Sequence, residues 1–178
     1  MKSKFIIAIV FIAAFTLSGF GQMGEATAAR TKLKGIYMYQ FARNVLWPDE
    51  FSKGDFVIGV YGDESVYQQF SNSYTNKLIG SQSIKVKFCS SLTELKNCHI
   101  LFISSSKNGA INQINKNVDK QTLLVSESTN LASSGAIINF IFKDSKLKFE
   151  LNKTKAQKND LKVGQYLTKL AYNTIWLD

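Results

Sequence analysis

The chain has 178 residues, of which 45% are hydrophobic and 12% aromatic, enough apolar surface for one core and too much for a disordered chain. Twenty-two Lys and Arg against 13 Asp and Glu give a net charge of +9. One His and two Cys exclude most multi-ligand zinc sites and any dense disulfide scaffold.

Lys2 and Lys4 precede an apolar run from Phe5 to about Leu17, followed by the small residues Ser18, Gly19 and Gly21. That is the layout of a secretory signal peptide, and the run is shorter than the roughly 20 residues of a membrane-spanning helix. Cleavage is expected either near Gly21 or Gln22 or after the Ala-Thr-Ala-Ala run ending at Ala29. Residues 1–29 are therefore read as the signal segment and 30–178 as a single domain. Without Lys2, Lys4 and Glu25 the chain keeps 20 basic and 12 acidic residues, a charge of +8. That balance suits an acidic protein surface or anionic lipid, and export argues against nucleic acid.

Leu33, Tyr37, Phe41 and Val45, with Ile36 alongside, predict a helix from about Thr31 to Leu46 that Pro48 ends. The run 56–62 predicts a strand, 64–76 a helix, and the alternating run 83–89 a strand with one wet face at a sheet edge. A short helix near 92–97 and a longer one over 107–118 flank the uniformly apolar runs 99–104 and 122–126, which read as central strands. Beyond Gly135, an apolar run and the alternating run 146–152 enclose Asp144-Ser145 as a β-hairpin. A basic helical stretch at 153–159 and a final helix over 165–176, with Leu167, Leu170, Ala171 and Ile175 buried, complete the order. The expected fold is α/β: a three-layer, mostly parallel Rossmann-like sheet with helices on both faces and a C-terminal antiparallel β-hairpin.

Motifs of catalysis are scarce. Gly19, Gly21 and Gly24 spell G-x-G-x-x-G, but within the signal region and without a βαβ unit around them, so they imply no cofactor. His99 stands alone at the start of a strand and reads as a hydrogen-bonded structural residue. Cys89 and Cys98, an even pair in an exported chain, either bridge each other, remain buried thiols or pair between chains. The carboxyl ends of the strands carry Gly62, Asp63, Ser104, Ser105, Ser106 and Ser126, where α/β sheets bind ligands and where helix caps also fall. Neither a catalytic nor a metal-binding constellation emerges, and the chain is expected not to be an enzyme.

Five segments in order carry a resemblance: Y-M-Y-Q-F-A-R-N-V-L-W-P at 37–48, F-V-I-G-V-Y-G-D at 56–63, N-C-H-I-L-F-I-S at 97–104, L-A-S-S-G-A-I-I-N-F at 131–140 and K-L-K-F-E-L-N at 146–152. Together they resemble the YfiR family (DUF4154) over about residues 31–176. The resemblance implies a periplasmic, non-enzymatic α/β protein, often dimeric, without a cofactor. It implies a protein that binds the periplasmic domain of a membrane signalling protein, best known as the diguanylate cyclase YfiN, and represses its output. Cys98 falls where the family has a bridging cysteine, but Gly59 stands where its partner would be, and the second family bridge near the hairpin has no cysteines here. The residues themselves also admit a periplasmic small-ligand-binding protein using the serine-rich crevice.

Overall fold

The computed structural model describes residues 24–129 and 135–175. Residues 1–23, with Gly19 and Gly21, lie outside them, as do 131–134 of the fourth resembling segment. Helix α1 (24–44) leads into the short strand β1 (Val45–Leu46) and a 3-10 turn at Asp49–Ser52. Strand β2 (Phe56–Tyr61), helix α2 (Glu64–Tyr74) and strands β3 (Leu78–Ile79) and β4 (Gln82–Cys89) follow. Then come β5 (Ile100–Ile103), a 3-10 turn Ser105–Ala110 continuing as α3 (Ile111–Asn117), and β6 (Leu123–Glu127). The hairpin of β7 (Ile138–Lys143) and β8 (Lys146–Asn152) precedes α4 (Lys153–Lys158), β9 (Lys162–Val163), α5 (Gln165–Leu170) and β10 (Asn173–Ile175).

One eight-stranded sheet has the order β10-β8-β7-β6-β5-β2-β4-β3, and β1 pairs with β9 in a separate two-stranded sheet. The neighbours from β4 through β2, β5 and β6 to β7 are parallel, and the β7–β8 hairpin is antiparallel. Apolar β5 and β6 are central because both their faces are covered. On one face, Met38 and Phe41 of α1 and Val66 and Phe70 of α2 pack on Ile58, Ile100, Phe102 and Phe140. On the other, Ile111 and Ile114 of α3 and Leu95 pack on Leu101, Ile103 and Leu124. The three-layer α/β fold read from the sequence is the one observed.

Three local expectations differ. The buried stripe of α1 is Met38, Phe41 and Ala42 with Lys34 and Gly35, whereas Leu33 and Ile36 are exposed. Gly35 sets that rotation: a Cβ there would lie 2.8 Å from Tyr74 Cε2, so α2 approaches α1 along this line and not along the Leu33 line. Strand β4 lies one place inside the sheet edge, because β3 covers its first residues. The last helix stops at Leu170. Ala171 is extended, Tyr172 N–H donates to Phe149 O at 2.8 Å, and Asn173–Ile175 continue the sheet parallel to β8, leaving Leu170 exposed. The outer edge of β8 offered unpaired backbone groups, and satisfying them outweighs the helical spacing of the side chains.

Candidate functional site

The first half of α1 and the β7–β8 hairpin enclose a cavity of about 530 Å³ beyond the carboxyl ends of β6 and β7. Arg30, Lys34, Glu127, Phe142, Glu150 and Tyr172 line it. Lys34 faces inward although it is charged: its Nζ lies 5.7 Å from the Phe102 ring centroid and 2.6 Å from Glu127 Oε2. The aliphatic stem is buried and the ammonium is neutralised by the carboxylate. Arg30 lies 4.0 Å over the Phe142 ring, and Lys148 lies 4.6 Å over Tyr172.

Asn139 organises the floor. It is fully buried on β7 and stands opposite Glu150 in the hairpin register. Its Oδ1 accepts from Ser126 Oγ and from Ser128 N–H, both at 2.9 Å, while Nδ2 donates to Glu150 Oε2 at 2.9 Å and to Ser128 O. The result is a cleft with aromatic walls and fixed charges of both signs. Such a cleft can orient a peptide or a zwitterion. Among the described residues no group of three or more His, Cys, Asp or Glu converges to hold a metal.

The strand-end residues singled out from the sequence gather in part. Asp63 Oδ1 accepts from Val66 N–H at 3.1 Å as the N-cap of α2. Ser104 Oγ and Ser106 Oγ are 2.8 Å apart, and Ser106 Oγ donates to Gly62 O at 3.3 Å. Gly62 has a φ of +90° and the Lys107 side chain lies directly over it, so a Cβ there would sit 2.4 Å from Lys107 Cγ. Ser105 is exposed beside them, while Ser126 belongs to the Asn139 network of the other cleft. Sequence reasoning missed Asn139, Glu150, Lys34 and Arg30. The available signal was Asn139, a polar residue inside an apolar run whose partner strand alternates.

His99 is committed to structure. Its Nδ1 accepts from Val57 N–H at 3.1 Å, its Nε2 donates to Phe51 O at 2.8 Å, and its ring stacks on Phe56 with centroids 4.4 Å apart. Burial holds its pKa below the usual imidazole value against the opposing pull of Phe51 O. Cys89 and Cys98 are both buried free thiols, within hydrogen-bonding reach of each other above Gly59. Their shared hydrogen bond, followed by burial, raises the Cys98 thiol, and the same hydrogen bond lowers Cys89.

The domain is a three-layer α/β fold with a charged, aromatic-walled cleft between α1 and the hairpin. The chain belongs to the YfiR/HmsC-like family (DUF4154), whose model matches residues 31–172, from α1 to the residue before β10. No curated protein matches the sequence. Among the described residues no helix is long and apolar enough to cross a membrane.

Proposed function

We propose that this chain is an exported, non-enzymatic regulator that binds the periplasmic part of a membrane signalling protein, a diguanylate cyclase or a sensor kinase, and lowers its output. Membership of the YfiR/HmsC-like family over residues 31–172 carries this reading. The cleft between α1 and the hairpin supports it, because fixed charges of both signs beside Phe142 and Tyr172 suit a polypeptide surface better than a reacting substrate. Repression then needs no chemistry: the regulator binds the inactive state of its partner more tightly and shifts the population toward it. Moving a partner from mostly active to mostly inactive requires a preference of about 10⁴-fold for that state.

The test is crosslinking in intact cells with a photoreactive residue at Phe142, and a reference chain carrying it at exposed Lys116. Recovery of one membrane sensor from the Phe142 position alone is the expected result. Equal recovery from both positions, or none from either with working controls, rejects the reading. A small-ligand-binding protein is the second reading. The cavity volume of about 530 Å³ suits it.

A further inference from the structure

The outward face of α1 is amphipathic in its own right. Between Glu25 and Asp49 the chain has four cations and no acidic residue. Lys34 is spent on Glu127 and Arg30 on the rim of the cleft, which leaves Lys32 and Arg43 outside with Leu33 and Ile36. Leu33 is 45% exposed and Ile36 44%, and just past the end of the helix Leu46 protrudes further, at 64%.

Tyr39 and Tyr74 stack at that end with centroids 5.5 Å apart. Arg43 lies 5.9 Å from the Tyr39 ring, and Lys77 lies 5.7 Å from Tyr39 and 4.7 Å from Tyr74. Protruding aliphatic side chains, half-buried tyrosines and cations without carboxylates are the components of an interfacial helix on an anionic bilayer. The charge also argues against a second copy on the same face, which would bring Lys32, Arg43 and Lys77 against their own counterparts.

We infer that the outer face of α1, with the Tyr39–Tyr74 pair and Leu46 at its end, rests on an anionic phospholipid surface. This goes beyond the regulatory reading and does not depend on which protein is bound. It places the molecule in the plane where a membrane partner is found and raises its local concentration there.

The protein, expressed as the full chain and purified from the periplasmic extract, is sedimented with vesicles of phosphatidylglycerol and phosphatidylethanolamine, and separately with phosphatidylcholine vesicles. Binding to the first and not the second at about 0.1 M salt, with release near 1 M, is expected. The R43Q/K77Q chain should partition about 25-fold more weakly, since each cation near an anionic surface is worth about fivefold. L33S/I36S should also weaken binding. K96Q/K116Q removes the same charge from the opposite layer and should matter by less than about twofold. Melting curves establish that each variant is folded. Absence of vesicle binding overturns the inference, as does an equal loss in K96Q/K116Q and R43Q/K77Q. So does an L33S/I36S chain that binds vesicles normally while its oligomeric mass falls, because a second copy would then be what covers the face.

Discussion

The Cys98 sulfur lies 2.8 Å from where a Cβ on Gly59 would stand. Leu101 Cδ1 would be 2.9 Å from the same point and Cys89 Sγ 3.5 Å, so the missing side chain on β2 is what admits both sulfurs to the core. Gly59→Ala therefore overpacks a site whose neighbours are themselves buried, at a cost of about 1–3 kcal/mol despite the better strand propensity of alanine. Urea unfolding measures it. Cys98→Ala in the same chain removes the nearer clash, so the double variant should lose less than the two single losses combined. Strict additivity would show that Gly59 is not making room for sulfur.

The same proximity bears on oxidation. Cys89 and Cys98 are nine positions apart and joined by the segment 90–97, which carries a 3-10 turn at Leu92–Glu94. A thiol–disulfide oxidoreductase of the export compartment is expected to accept the two electrons and two protons that bridging releases, becoming reduced itself. Closing so short a loop should stabilise the chain by about 2–3 kcal/mol relative to its reduced form. Alkylation under denaturing conditions followed by mass spectrometry reads the outcome. Two alkylated cysteines after treatment with an oxidised oxidoreductase would mean that the pair stays as thiols.

Much of the fold was legible because strand burial writes itself into composition. The uniformly apolar runs at β5 and β6 marked the centre of the sheet, and the Asp144-Ser145 turn, with φ of +51° and +57°, closes the predicted hairpin. What misled was periodicity shared by two faces. Leu33 and Ile36 keep helical spacing with Tyr37 and Phe41, and only the close approach of Tyr74 at Gly35 decides which stripe is buried. The end of α5 failed for a different reason, since the unpaired edge of β8 that captures Asn173–Ile175 exists only after the sheet has formed. The cleft was hidden because Lys34, Glu127, Asn139 and Glu150 come from four separate elements, and none of them belongs to a motif.

Acid should loosen the junction between β2 and the Asp49–Ser52 turn through His99. In the folded chain burial lowers its pKa, and protonation would strip Nδ1 of the lone pair that receives Val57 N–H. In the unfolded chain the imidazole titrates near its free value of about 6.5. Between the two pKa values the unfolded state binds more protons, so this contribution is complete above about pH 6.5 and is lost as pH falls through the folded value. Among the described residues no carboxylate is in ring or hydrogen-bond contact with the imidazole, whose neighbours are Trp47, Phe51, Phe56 and the Val57 amide. Melting temperatures between pH 7.5 and 5 should decline in the parent and be flatter in His99→Gln. Parallel profiles would assign the decline to other groups.

Stability and recognition can be separated at the floor of the cleft, because Asn139 and Glu150 contribute differently to each. Asn139→Ala deprives Ser126 Oγ and the Ser128 amide of their acceptor and Glu150 of its donor, inside a fully buried site, and should cost about 2–3 kcal/mol. Glu150→Gln keeps an acceptor for Asn139 Nδ2 and removes only the charge, so its unfolding midpoint should correspond to a loss under about 1 kcal/mol. If the cleft is the docking surface, that folded variant should still lose crosslinking from Phe142, because removing one charge from a desolvated pair shortens the lifetime of a complex. Undiminished crosslinking by Glu150→Gln, with its stability unchanged, would move the partner off the Asn139–Glu150 floor and onto another face of the domain.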